Sequence, residues 1–261
     1  MVINQRQKNV IKYAAIIVAL TLISIFIVHK GRAQNKPNVI LIVLDAARAD
    51  RFSSYGYDKP TTPFIDSIAK DGAIFLNHFS NGTYTPRSVS SMLFSRYLTN
   101  PAFGRRTRWG LIEEGPDTIF QEFDDQQILL PAALSLAGYK TVFFNNHGFF
   151  CREDELTKAF HEMHQVFKIW PADADLVCKV ISWIKEHEKQ RFFIYYHVMS
   201  PHVPYPQKAE DAIFLKIEDG IGAGVVKGKL YNKKDNSADL LSADELRILS
   251  GLYDSNLRHS D

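Results

Sequence analysis

An apolar N-terminal segment is followed by short apolar runs that alternate with longer amphipathic stretches. The run VILIVL at residues 39–44 has no polar interruption, which predicts a strand buried on both faces of a parallel sheet. The run RFFIYYH at residues 191–197 predicts another strand. Two further strands are predicted at residues 73–79 and 140–144.

Helices are predicted between these strands, because apolar residues recur at helical spacing and helix-breaking residues follow them. In the clearest case, Leu176, Val180 and Trp183 lie on one apolar stripe. The predicted helices cover residues 61–70, 88–94, 128–137, 172–189 and 243–259. The alternation of strands and helices predicts an α/β fold in which helices sandwich a mostly parallel sheet.

Residues 11–29 form the longest apolar segment, with no charged side chain between Lys12 and Lys30 apart from any charge on His29. Roughly 20 apolar residues are enough to cross a bilayer as a helix, so this segment predicts a single transmembrane helix. A cleaved signal peptide has a shorter apolar core, and a buried core helix seldom follows so basic an N-terminus. Basic residues are equally frequent on both sides, so the charge pattern does not give the orientation.

The pattern divides the chain into a tail at residues 1–10, a membrane anchor at 11–29, a linker at 30–36 and a domain at 37–261. With 46% apolar and 23% charged residues, the composition is that of a globular protein, which excludes collagen-like and disordered chains. The net charge of +2 is too balanced to predict nucleic-acid binding, and two cysteines exclude a disulfide framework.

Polar side chains that can carry chemistry follow the predicted strands. In a parallel sheet, ligands bind beyond the carboxyl ends of the strands, where Asp45, His147 and His197 stand. Asp45 directly follows six apolar residues, and a carboxylate there is either an N-cap of the next turn or a metal ligand. Position alone does not decide between these roles. A strand-end histidine such as His197 is more often structural than catalytic.

Hydroxyl groups and one more histidine are the other candidates. Thr83, Thr85 and Ser88 precede or open a short predicted helix, whose N-terminus attracts a phosphate or sulfate group. Each is either a helix cap or a nucleophile, and a hydroxyl nucleophile needs a base or a metal to lower its pKa. His202 stands between two prolines after the fourth strand, a rigid position for contacting an anion or donating a proton.

Several motifs, taken together and in order, resemble the sulfatase branch of the alkaline phosphatase superfamily. The first strand ends in Asp45 and is followed by an R-x-D pair at residues 48–50, YGY at residues 55–57 and TTPxxD at residues 61–66. Further on come an aromatic strand, the NGTYTPRS loop with its helix, a GYKT segment after a helix, and PHVPY after the fourth strand. The resemblance covers most of residues 37–261.

This resemblance implies that a nucleophile on the loop before the short helix attacks the sulfur or phosphorus of an ester, assisted by a divalent cation. Asp45 matches a metal ligand of the family, Thr85 matches the nucleophile and His202 matches the substrate-side histidine. The candidate substrate-binding residues are His147, Ser88 and His197. The resemblance leaves the cation open among calcium, zinc, magnesium and manganese, and it implies an anionic ester as substrate.

Three departures from the family pattern bear on activity. Sulfatases carry Cys or Ser, oxidised to formylglycine, where this chain has Thr85, so threonine points to the phosphodiesterase and phosphotransferase relatives. Ala46 replaces a second aspartate that the family often has. The chain ends at Asp261 before an Asp-His-Gly motif that supplies further ligands, so we expect the catalytic domain to be incomplete.

The sequence therefore predicts a membrane-anchored, metal-dependent sulfatase-family hydrolase of sulfate or phosphate esters. Two alternatives stay open: a phosphoethanolamine- or phosphoglycerol-type phosphotransferase with a threonine nucleophile, and a non-catalytic membrane-tethered domain. Because the threonine-type relatives are anchored by N-terminal membrane segments, we expect a single-pass membrane protein whose catalytic domain lies outside the cytoplasm. The bilayer is the expected partner of residues 11–29, and no nucleic-acid partner is expected.

Overall fold

The computed structural model describes residues 12–14, 16–24, 36–95, 97, 128–150, 155–166, 173–203, 205, 213–215 and 241–261. The chain divides into two compact units, Met1–Val39 and Ile40–Asp261. In the first unit, residues 12–14 and 16–24 are helical. Among the described residues, no helix has both the length and the apolar character needed to cross a membrane. The predicted anchor at residues 11–29 lies partly outside the described residues.

A parallel sheet forms the centre of the second unit. Its described strands are β1 (Val39–Leu44), β2 (Lys140–Asn145), β3 (Glu162–Gln165) and β4 (Phe192–Val198), in the spatial order β1-β4-β2-β3. Strand β2 pairs in parallel with both β3 and β4. This arrangement confirms the predicted α/β class with a parallel sheet.

Helices connect and flank the strands. They are α1 (Pro63–Ala69), α2 (Thr85–Phe94), α3 (Leu130–Leu136), α4 (Glu155–Lys158), α5 (Asp173–Glu186) and α6 (Ala243–Ser260). Helix α6 begins with a capping box, in which the Ser242 side chain accepts from the Glu245 backbone N–H and the Glu245 side chain accepts from that of Ser242. Between α3 and β2 the chain turns at Gly138, which has a φ of 87°, a backbone angle that glycine adopts at little cost.

The two faces of the sheet have different coverings. All seven residues of β4 are buried, as the apolar run predicts for a strand flanked on both sides. On one face, the predicted stripe of α5 packs against β2 and β4 in a core that includes Leu176, Trp183, Phe144 and Ile194. The other face carries Tyr195 with the aromatic rings around it. Because side chains alternate along a strand, His197 lies on the same face as Tyr195.

One predicted strand does not form, and one strand that forms is less buried than predicted. Residues 73–79 form no strand, and Phe75, Leu76 and Phe79 are 71%, 72% and 80% exposed. A strand needs a neighbouring strand for its backbone hydrogen bonds, and no described strand pairs with this segment. Strand β1 forms, but it is the edge strand of the described sheet, so Ile40 and Ile42 are 48% and 57% exposed rather than buried.

Helix α6 is fastened to the segment after β1 by a buried carboxylate. Asp254 is fully buried and accepts hydrogen bonds from Arg51 (3.2 Å), Tyr57 (2.7 Å) and Lys59 (2.8 Å). A buried carboxylate is tolerated when cations and donors surround it, as they do here. These bonds fix α6 against residues that follow the first strand, close to the turn that carries Asp45.

Candidate active site

Asp45 lies at the carboxyl end of the sheet because it directly follows β1. Its backbone N–H donates to the Val198 carbonyl at the end of β4, at 2.9 Å. The next residue, Ala46, has a φ of 57°, which turns the chain sharply. The Tyr253 hydroxyl on α6 donates to the Ala46 carbonyl at 2.9 Å and accepts from the Arg48 N–H at 2.8 Å. Helix α6 therefore holds the turn that positions Asp45.

Thr85 contacts Asp45 from the start of helix α2. It is the first residue of α2, and the preceding Tyr84 is extended. The Thr85 hydroxyl donates to Oδ2 of Asp45 at 2.9 Å, although 40 residues separate the two in sequence. The Asp45 carboxylate thus contacts side chains from other elements, whereas the short helical turn after it, Ala49–Arg51, has no side-chain cap at Arg48. The contacts of Asp45 are therefore not those of a cap of the next turn, and its role as a metal ligand stays a prediction.

Two histidines complete the surroundings of the same carboxylate oxygen. Nε2 of His197 is 3.2 Å from Oδ2 of Asp45, and Nε2 of His147 is 3.5 Å from it. His197 belongs to β4, and His147 follows β2, so both come from the carboxyl ends of central strands. The two rings meet edge to face, with centroids 5.5 Å apart.

The loop that carries His147 is held by an amide pair from β2 and β3. The Gln165 side-chain amide donates to Oδ1 of Asn145 at 3.1 Å and to the His147 carbonyl at 3.3 Å. Asn145 is in register with Gln165 on one side and with His197 on the other. Sequence reasoning missed Gln165 because EMHQ, the whole of β3, is short and polar and carries no strand signal.

Burial and hydrogen bonding give Asp45 and His147 different charge states at neutral pH. Burial raises the pKa of Asp45, but the hydrogen bond and charge of His197, with Thr85 and His147, outweigh it and lower the pKa from 3.8 to about 2. Burial, with the neighbouring His197, lowers the pKa of His147 from 6.5 to about 4. At neutral pH Asp45 is therefore an anion and His147 is neutral, so their 3.5 Å contact is not an ion pair.

The described contacts of the remaining predicted residues, His202 and Ser88, are with residues other than Asp45. The His202 ring faces the His147 ring with centroids 6.5 Å apart, and the His202 carbonyl accepts from Asn256 on α6 at 3.3 Å. The Ser88 hydroxyl contacts the Ser80 hydroxyl at 2.9 Å. The structure thus brings Asp45, Thr85, His147 and His197 together, places His202 beside His147, and directs Ser88 toward the preceding loop.

A second residue that sequence reasoning missed is Tyr195, whose hydroxyl lies 3.1 Å from Nδ1 of His197. The strand pattern contained a usable signal, because Tyr195 precedes His197 by two residues and must share its face of β4.

The site offers donors of the kind that divalent cations accept. Oδ2 of Asp45 and Oγ1 of Thr85 are hard oxygen ligands 2.9 Å apart, and imidazole nitrogens lie beside them. In the part of the chain that the structure describes, however, no three His, Cys, Asp or Glu side chains are arranged to hold a metal ion. The described residues therefore fit a partial ligand set.

Comparison with known proteins identifies the family. Residues 37–219 match the family Sulfatase. The chain belongs to the sulfatase family. Phosphoethanolamine transferase EptA of Helicobacter pylori is 23% identical over 232 residues, which are 85% of this chain and 36% of that protein. Human N-acetylgalactosamine-6-sulfatase is 27% identical over 107 residues, or 41% of this chain and 20% of that enzyme. The chain thus spans about a third or less of the length of these sulfatase-family relatives.

Solved structures share the fold of this sulfatase-family chain. The phosphonate monoester hydrolase of Agrobacterium radiobacter has a TM-score of 0.60 at 16% identity, covering 86% of this chain and 57% of that one. The C-terminal periplasmic domain of EcEptC from Escherichia coli, in complex with Zn, has a TM-score of 0.56 at 19% identity, covering 87% and 58%. The resemblance to the sulfatase branch of the alkaline phosphatase superfamily is therefore confirmed.

Proposed function

We propose that this chain carries the nucleophile of a metal-dependent active site that cleaves sulfate or phosphate esters, with Thr85 as that nucleophile. The observation that supports it is the 2.9 Å contact between the Thr85 hydroxyl and Asp45 at the first turn of α2. A helix N-terminus presents free N–H groups and the positive end of a dipole, which suit an anionic ester.

The proposed reaction begins at the Thr85 hydroxyl oxygen. Oδ2 of Asp45 accepts a hydrogen bond from the hydroxyl and so orients an oxygen lone pair for attack on the phosphorus or sulfur atom. The hydroxyl proton passes to Oδ2 of Asp45 as the new bond forms. The new bond joins that atom to Oγ1 of Thr85, and the bond to the ester oxygen breaks. His202 is the proposed donor of the proton that the departing oxygen takes up. Water or an acceptor alcohol then releases the group from Thr85.

A divalent cation is the proposed cofactor, and Asp45 and Thr85 are the residues that would hold it. When bound, it would lower the pKa of the Thr85 hydroxyl and neutralise charge on the ester. A pKa of about 2 makes Asp45 a weak base by itself, which is why the proposal includes a cation. Zinc sites use at least three protein ligands, so further ligands must join these two. The zinc complex of EcEptC supports zinc as the first ion to test.

A phosphotransferase is the second candidate function. Thr85 favours it, because threonine is not the residue that sulfatases convert to formylglycine. The match to a phosphoethanolamine transferase over 85% of this chain points in the same direction. In this version an alcohol acceptor, rather than water, takes the phosphoryl group from Thr85.

We further propose that residues 11–29 anchor the protein in a membrane in a single pass and that the catalytic domain faces away from the cytoplasm. The apolar N-terminal segment and the periplasmic location of the EcEptC domain support this placement. The proposed substrate is an anionic ester, and we propose no nucleic-acid partner.

The experiment is a comparison of two threonine variants in the full-length protein. We expect Thr85→Ala to lose turnover of an aryl phosphodiester or aryl sulfate by roughly 10³-fold or more, because it removes the attacking atom. Thr83→Ala changes an exposed threonine in the same loop and should keep turnover. Turnover is measured with zinc, manganese, magnesium or calcium. Unchanged turnover in Thr85→Ala would reject Thr85 as the nucleophile.

A further inference from the structure

Strand β4 carries two buried side chains in contact, Tyr195 and His197, and the proposed reaction gives Tyr195 no role. Tyr195 is fully buried and His197 is 1% exposed. Their rings are stacked with an interplanar angle of 17°, and the Tyr195 hydroxyl lies 3.1 Å from Nδ1 of His197. The other ring nitrogen of His197, Nε2, faces Asp45.

The Tyr195 end of the pair fixes where one hydrogen must be. A buried phenol hydroxyl must donate its hydrogen, since an unsatisfied buried donor is costly. Within the described part of the chain, Nδ1 of His197 is the only hydrogen-bond partner of this hydroxyl. Burial also raises the pKa of Tyr195, so the phenol keeps its proton. Nδ1 must then offer a lone pair and carry no hydrogen.

The Asp45 end of the pair fixes, independently, where the hydrogen on the other ring nitrogen must be. An ionised carboxylate only accepts hydrogen bonds. The hydrogen in the 3.2 Å contact between Nε2 of His197 and Oδ2 of Asp45 therefore belongs to Nε2. Were the hydrogen on Nδ1 instead, two acceptors would face each other at that distance.

We propose that Tyr195 is a positioning residue that holds His197 in its Nε2–H tautomer, so that His197 donates a hydrogen bond to Asp45. The proposal rests on the proposed function, because it gives Tyr195 a part in orienting the carboxylate that orients Thr85. The chain of hydrogen bonds runs from Tyr195 to His197 to Oδ2 of Asp45, which also accepts from Thr85. Hydrogen bonds of this kind fix the direction of a carboxylate that ligates a metal.

The first test reads the tautomer without any activity. The full-length protein, labelled with ¹⁵N-histidine, is studied by long-range ¹H–¹⁵N NMR, and His197→Gln assigns the His197 signals. We expect a protonated Nε2 and an unprotonated, hydrogen-bonded Nδ1. Tyr195→Phe should shift the Nδ1 resonance, whereas Tyr196→Phe, the same change on the opposite face of β4, should not. A protonated Nδ1 in the wild type, or an Nδ1 signal unmoved by Tyr195→Phe, would overturn the proposal.

The second test separates positioning from a general structural role. Loss of a hydrogen bond to a metal ligand costs about 10- to 100-fold in activity. Tyr195 acts one hydrogen bond behind His197, so Tyr195→Phe should lower kcat by about tenfold, the low end of that range, with KM little changed. Glutamine at position 197 can donate to Asp45 without help from Tyr195. In the His197→Gln background, Tyr195→Phe should therefore have no additional effect on kcat. An undiminished effect there would contradict the proposal, whereas turnover in Thr85→Ala would contradict only the proposed function.

Discussion

At the scale of single residues, the site depends on how one buried carboxylate oxygen is satisfied. Oδ2 of Asp45 accepts a hydrogen bond from the Thr85 hydroxyl at 2.9 Å. The Nε2 atoms of His197 and His147 lie 3.2 and 3.5 Å from the same oxygen. These contacts outweigh the cost of burying the charge, which is why the pKa of Asp45 falls rather than rises. The same burial disfavours a charge on His147, so the two groups respond to acid differently.

His147 should make the stability of the metal-free protein depend on pH between about 6.5 and 4. Below pH 6.5 the unfolded chain binds a proton at His147 that the folded protein does not take up until about pH 4, so stability falls as the pH falls. At neutral pH both states are neutral and the effect is absent. We expect the loss to reach about 2 to 3 kcal/mol at pH 4, an order-of-magnitude figure.

The measurement is urea unfolding of the wild type and of His147→Gln at pH 7 and pH 4.5. The variant has no group at this position to titrate, so it should lose less stability over that interval. His259→Gln, which changes an exposed histidine of α6, is the control and should follow the wild type. Equal losses in wild type and His147→Gln would show that His147 is not held neutral by burial.

At the scale of elements, the strands and helices with strong patterns were predictable and the weakly patterned ones were not. The apolar runs of β2 and β4 and the apolar stripe of α5 were predictable, because burial of a continuous or periodic face leaves a continuous or periodic sequence. The apolar run of β1 also predicted its strand, although Ile40 and Ile42 are exposed at the edge of the described sheet. β3 reads EMHQ and has no such pattern, although it positions Gln165 behind His147. The segment at residues 73–79 has the pattern, but none of the strands that the structure describes pairs with it.

Helix α6 contributes to the site through the turn that it holds. Tyr253 bonds to the Ala46 carbonyl and the Arg48 N–H, and the adjacent Asp254 binds Arg51 and Lys59. None of these long-range contacts could be predicted from the helix sequence, because helical periodicity shows which face is apolar but not which loop a polar residue on the buried face meets.

Asp254→Asn should destabilise the folded protein by about 2 to 3 kcal/mol, because it leaves two cations facing a neutral group. The estimate lies below the roughly 3 to 5 kcal/mol of fully buried pairs, because the side chains of Arg51 and Lys59 are 21% and 38% exposed and water screens their charges. Urea unfolding measures the change. Asp244→Asn, at a carboxylate 87% exposed on the same helix, should cost little. If the two variants lose the same stability, the buried carboxylate does not fasten α6.

At the scale of the whole molecule, the site exists because parallel strands end at one edge. Asp45 follows β1, His147 follows β2 and His197 lies near the end of β4, so sequence-distant residues meet without any local signal between them. The topology therefore made the meeting of Asp45 with His147 and His197 predictable. Which ring nitrogen faces the carboxylate, and the contact from Tyr195 behind it, depends on strand register and side-chain rotamers and was not predictable.

The central claim is that the Thr85 oxygen forms a covalent bond to the transferred group. The most direct measurement is peptide mass spectrometry of the full-length protein, acid-quenched during turnover of a bis-aryl phosphodiester with zinc. The account predicts an aryl-phosphoryl adduct on Thr85 that is absent in Thr85→Ala. An adduct on another residue, or turnover that continues in Thr85→Ala, would contradict it.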